Sequence, residues 1–163
     1  MKRILFLLSF SLLLTTPLCA QSFKTLWKRV KTSMSQDLPE TAREQVKTIR
    51  AKALTEQNFA QLLRASLIEG LLCDEISPDS FSVWQKAMEE ALKNETRPVE
   101  RALWHAALGL TGSSQLSFMP TDTMSENRAA AHLTAALESA AALAATPYTD
   151  HLPLFVKRKD SRF

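Results

Sequence analysis

Glycine is nearly missing from this chain, with three residues in 163. There are no Asn-Gly or Asp-Gly pairs and no sustained alternation of β-branched residues, so the signals that build hairpins and sheets are lacking. Cysteine is almost as scarce, with two residues, of which Cys19 falls in the N-terminal leader described below. The remaining Cys73 has no partner for an internal disulfide, and among Leu71, Leu72 and Ile76 it reads as a small buried apolar residue. Histidine occurs as His105, His132 and His151, and no two have the spacing that sets both imidazoles on one helical face. A phosphate-cradling glycine loop, a Gly-x-Ser-x-Gly elbow and a metal-ligand ladder are all wanting. The adjacent acids Asp74-Glu75 and Glu89-Glu90 diverge by about 100° around a helix, cannot converge on one atom, and read as solvated faces. The expectation is a protein that is not an enzyme, with no catalytic, cofactor-binding or metal-ligating residue and no cofactor. A composite site made by folding Cys73 against a histidine is the enzymatic alternative.

What is present begins with a leader. Lys2 and Arg3 form a basic start, Ile4 to Leu14 an apolar run broken only by Ser9 and Ser11, and Thr15 to Ala20 a polar exit. This is the three-part pattern of a cleaved secretory signal, and its apolar run is far shorter than the roughly 20 residues of a membrane-spanning helix. Residues 1–20 are thus expected as a signal peptide cut after Ala20, and the mature protein as exported: periplasmic, cell-envelope or secreted, with no stable transmembrane segment. Lipid anchoring at Cys19 is disfavoured, because Pro17 and Leu18 precede it where a lipidation signal takes small residues. Removing the leader takes two of the 20 basic residues with it and leaves eighteen against 17 acidic ones, a net of +1. That near-balance gives no reason to expect a nucleic-acid partner.

Six helical segments are predicted in the mature chain. The first, about Phe23 to Met34, puts Phe23, Leu26, Trp27 and Val30 on one stripe. The second starts at Asp37-Leu38-Pro39-Glu40, which resembles a capping box with proline in the first turn, and its face runs through Leu38, Ala42, Val46, Ile49 and Ala53. Asn58 with Gln61 starts the third, with Phe59, Leu62, Leu63, Leu67 and Leu71 aligned, and the short link before it forces an antiparallel hairpin. Ser77-Pro78 opens the fourth (Phe81, Trp84, Met88, Ala91, Leu92), and Pro98 the fifth (Val99, Ala102, Leu103, Ala106, Leu110), ended by Gly112. Gly112 to Asp122 reads as a loop, and Thr123 with Glu126 as a capping box for a sixth helix from about Ser125 to Ala145. Ten alanines between Ala129 and Ala145 mark that helix as central or sandwiched. Trp27, Trp84 and Trp104 fall at apolar positions on three helices and are expected as core or interface anchors. Asn94-Glu95-Thr96 fits a glycosylation sequon that matters only in a host that uses it. The fold class is all-α: about six helices packed as antiparallel hairpins in the manner of helical repeats. The helical domain spans 21–146, and 147–163 is an extended segment leading into further domains. Its basic end, Lys157 to Arg162, is a solvated tail or a patch for an acidic surface.

Several short elements lie close together in the first half of the mature chain: Leu26-Trp27-Lys28-Arg29-Val30, Asp37-Leu38-Pro39-Glu40-Thr41-Ala42, Ile49, Ala51-Lys52-Ala53, Asn58 and Gln61-Leu62-Leu63-Arg64-Ala65. Together they resemble the start of very large exported bacterial alpha-2-macroglobulin family proteins of the Bacteroidetes type, and Lys159-Asp160-Ser161-Arg162-Phe163 resembles the hand-over to the next segment. The likeness spans most of the mature chain and is densest over Leu26 to Ala65. It implies a non-catalytic helical N-terminal module of a protease trap, an endopeptidase inhibitor whose bait segment is cut before it closes on the attacker. Its partners would be downstream macroglobulin domains of the same chain and, through the rest of the molecule, target proteases. The family's Cys-x-Glu-Gln thioester has no counterpart here, since Cys73 is followed by Asp74-Glu75-Ile76. A free-standing exported helical-repeat adaptor is the alternative, weakened by the lack of a fixed repeat period.

The capped amphipathic segments and the solitary Cys73 predict a mature domain whose circular dichroism is dominated by helix and whose melting temperature is unchanged by reductant. Substantial strand signal, or a marked drop in melting temperature on reduction, would contradict that.

Overall fold

A computed structural model describes residues 21–111, 123–147, 149–150 and 154, with side chains omitted for 123–126. Seven α-helices run through them: α1 (Phe23–Ser35), α2 (Pro39–Thr55), α3 (Phe59–Ile76), α4 (Pro78–Lys93), α5 (Pro98–Thr111), α6 (Thr123–Leu137) and α7 (Ala140–Ala145). No strand occurs among these residues. The all-α class is therefore shown. The leader over 1–20, the loop Gly112 to Asp122, the side-chain pair Thr123 and Glu126, His151 and most of the C-terminal segment lie outside the described residues.

Short polar side chains start three of the helices by accepting orphan amide hydrogens. Ser22 Oγ accepts from the Thr25 amide, Asn58 Oδ1 from that of Gln61 and Ser77 Oγ from that of Ser80. Asp37 does not act in this way, which corrects the expected capping box. It instead ends α1 in the left-handed region at φ 57°, its amide donating to the Met34 carbonyl while the Leu38 amide donates to that of Ser33. That is a Schellman closure, and it leaves Leu38 as the uncapped, exposed residue before Pro39. The α2–α3 link repeats it. Gln57 sits at φ 52°, its amide donating to the Leu54 carbonyl and that of Asn58 to Ala53.

Consecutive helices pack side by side, and their apolar faces merge into two cores. The first core joins Leu26 and Val30 of α1, Ala42, Val46 and Ile49 of α2, and Ala65 and Leu72 of α3. The second joins Phe59, Leu63 and Cys73 of α3 to Trp84, Met88 and Leu92 of α4 and Trp104, Ala107 and Leu108 of α5. Helix α3 thus contributes to both. It is buried on two sides, and the single predicted stripe is corrected: Leu71 is exposed, Leu62 and Leu67 are half-buried, and Ala65, Ser66, Glu69 and Gly70 are inside. On α5 the buried side is likewise rotated toward Trp104, Ala107 and Leu108, leaving Leu110 exposed.

Polar groups fix the register of these layers. Arg50 Nη1 donates to Glu69 Oε2 at 3.0 Å between α2 and α3, with the glutamate buried. Trp27 Nε1 donates to Gln61 Oε1 at 2.8 Å, and the Arg64 guanidinium lies 4.3 Å from the Trp27 ring, which ties α1 to α3. Trp27 is therefore a half-buried clasp at the edge of the fold and not a core residue. Trp84, by contrast, lies across α3 at Gly70, where a Cβ would stand 2.6 Å from the indole ring.

The last two helices depart furthest from expectation. The predicted sixth helix breaks at Glu138 and Ser139, with Ser139 at the N-terminal boundary of α7; serine competes with helical hydrogen bonding and favours such boundaries. Nor is the alanine-rich stretch central. Helix α6 lies on α5 as an outer layer, with Ala129 and Ala136 buried and Leu137 71% exposed. Alanine gains little from burial, so a helix of alanines is not forced inward as one of leucines is. Leu154, in the C-terminal segment, is half-buried against the second core.

Trp84→Ala is expected to lower unfolding free energy by about 3–5 kcal/mol, the range for emptying a large buried aromatic site, and Trp27→Ala by about 1–2 kcal/mol from a lost hydrogen bond and partial packing. Urea denaturation of the two variants checks the order; equal losses would contradict the core-and-clasp distinction.

Candidate functional site

Where α4, α5 and α6 meet, a cleft of about 440 Å³ opens, lined by Glu89, Leu92 and Lys93 of α4, Arg101 and His105 of α5, and Arg128 and His132 of α6. The seam that brings the two histidines together is set by Gly109, one turn beyond His105. A Cβ there would stand 2.6 Å from Leu133 Cγ and 3.2 Å from the Ala129 carbonyl oxygen. Without one, α5 and α6 approach closely.

At that approach His105 Nδ1 and His132 Nδ1 are 3.0 Å apart, with ring centroids 5.2 Å apart and planes inclined at 46°. One of the two nitrogens carries the hydrogen and the other offers its lone pair. Burial pulls the His105 imidazole below the ordinary histidine range, reinforced by the charge of His132 and of Arg101 and opposed by Glu138. Burial does the same to His132, with Glu89 opposing and Arg128 adding to the effect. Both rings are thus neutral at neutral pH. Beside them Arg128 Nη1 stands 3.7 Å from Glu89 Oε1, an ion pair too long for a hydrogen bond, and that buried oxygen has no hydrogen-bond partner. Lys93 Nζ is held by Glu90 at 2.8 Å.

This arrangement can take up or pass a proton. No hydroxyl or thiol lines the cleft; its reactive groups are imidazole, amine, guanidinium and carboxylate. Among the described residues no three of His, Cys, Asp and Glu are grouped so as to hold a metal ion. Of the residues in the composite cysteine–histidine alternative, Cys73 is fully buried in the second core, while His105 and His132 face the cleft; His151 lies outside the described residues. Burial raises the Cys73 thiol above its ordinary range. Reading the sequence missed the histidine pair because it sought partners on one helix. The usable signal was the hairpin: two consecutive helices folded back on each other bring residues at similar distances from their link level with one another.

Compared with protein-family models, curated proteins and solved structures, the chain matches none.

Because Cys73 is both buried and raised, its native thiol is expected to react with a disulfide reporter only on unfolding, more slowly than the denatured chain by orders of magnitude. Prompt native-state labelling would place it in an accessible site.

Proposed function

We propose that the chain is a non-catalytic helical module of an exported protein, the N-terminal part of an alpha-2-macroglobulin-like protease trap. One observation carries this reading: the residues on which the resemblance rests are tied to one another across the fold. Trp27 donates to Gln61 and stacks with Arg64, Ala42, Ile49 and Ala65 share one core with Leu26 and Val30, and Pro39 starts α2. Such a pattern preserves a scaffold, and a scaffold that presents itself to neighbouring domains needs no reacting group. Support for export is the tripartite leader in the sequence. No helix among the described residues is long and apolar enough to cross a membrane.

A second reading is favoured by the two matching left-handed links at Asp37 and Gln57, which stack α1, α2 and α3 by one repeated corner. Serial hairpins of this kind also build free-standing binding adaptors.

Reading the gene beyond codon 163 separates the two. A long continuation through strand-rich repeats, with the full-length protein shielding a captured protease from large substrates but not from small ones, is the expected result. A stop codon directly after Phe163 would remove the trap reading and leave the adaptor.

A further inference from the structure

We propose that the α6–α7 layer is an acid-released clasp: α6 is held to α5 by an imidazole–imidazole hydrogen bond that tolerates at most one added proton, so acidification frees the layer from an otherwise intact α1–α5 body.

The contact itself supplies the sensitivity. With Nδ1 of His105 and Nδ1 of His132 at 3.0 Å, a single hydrogen occupies the line between them. A first added proton is accommodated elsewhere on the pair, giving an imidazole beside an imidazolium. A second sets two N–H groups and two like charges against each other, and the rings must part. The groups facing the pair are of both signs. From α4 come Glu89 and Lys93, the latter held by Glu90, from α5 Arg101, from α6 Arg128, and just past the end of α6 comes Glu138. Arg101 and Arg128 disfavour added positive charge on the rings, while Glu89 and Glu138 favour it.

The seam itself is close-packed but poor in large buried side chains. Helix α6 lies tightly on α5 with Leu133 against Gly109, α7 also touches α5, and Arg128 reaches α4 through the long pair with Glu89; the side chains that α6 buries fully are Ala129 and Ala136, so the histidine pair is the seam's polar contact. The first core, by contrast, rests on leucine, valine and isoleucine and holds no histidine.

Held on α5, both histidines lie below the ordinary value of about 6.5; released, they return to it, so release takes up protons. The docked layer therefore keeps its full stability above about pH 6.5 and loses it as pH falls below that value, the released population rising by up to about a hundredfold per pH unit when two protons are taken up.

Amide hydrogen exchange of the full chain at pH 7.5, 6.5, 5.5 and 5.0, corrected for intrinsic rates, tests this. Protection over Ala129–Leu137 is expected to fall steeply below pH 6.5 while that of α2 and α3 holds, and the double variant His105→Gln, His132→Gln is expected to show no such pH dependence. Protection in α6 that is flat across the range, or a fall that persists in the double variant, overturns the proposal. If the double variant does not fold, imidazole NMR of the wild type decides: two separated titration steps, the second below the ordinary histidine range, are expected. Simultaneous titration of both rings near 6.5 would overturn it.

Discussion

Helix α3 has water on little of its surface, and the rest of the molecule is arranged around that constraint. A helix packed on two sides must keep its neighbours' backbones near on both, which sets what its residues can be. Small groups, Ala60, Ala65, Ser66, Gly70 and Cys73, alternate with Phe59, Leu63 and Leu72, so that α2 lies close on one side and the Trp84 indole on the other. The buried Glu69 belongs to the same arrangement. Held by Arg50, it fixes the sliding position of α3 against α2, and losing the arginine would leave a buried charge without compensation.

Because α3 is shared, the two cores are coupled mechanically, yet their chemistry differs. The α1–α3 side is aliphatic and closed. The α3–α5 side is aromatic, with Phe59 edge-on to Trp104 and Phe81 stacked on Trp84, and at its far edge it gives way to the histidine cleft. Rigid scaffold and titratable seam thus occupy opposite ends of the chain.

Much of the fold was legible in the sequence because helical periodicity and punctuation agree in most places. Asn58, Ser77, Pro78 and Pro98 sit where helices begin, and Ala42, Val46, Ile49 and Ala53 are all buried as their spacing requires. The failures have physical causes. Asp37 was read as a start when it serves as an end, since an aspartate tolerates the left-handed region as well as it caps. On α3 a stripe was sought in a helix that has two. On α6 composition was taken for burial, although alanine is indifferent to it. The histidine pair depends on the register of α5 against α6, which is fixed by the missing side chain of Gly109, and no local pattern announces that.

The two left-handed corners at Asp37 and Gln57 bear on how the molecule assembles. Each joins helices through three residues, so α1, α2 and α3 find their partners among immediate neighbours in the chain. Closing such short links sacrifices little chain entropy, and topologies dominated by local contacts reach the native state quickly. As the chain is made from its N-terminus, the first core can close as soon as the residues up to the end of α3 are available, before the segment carrying the histidines is in place.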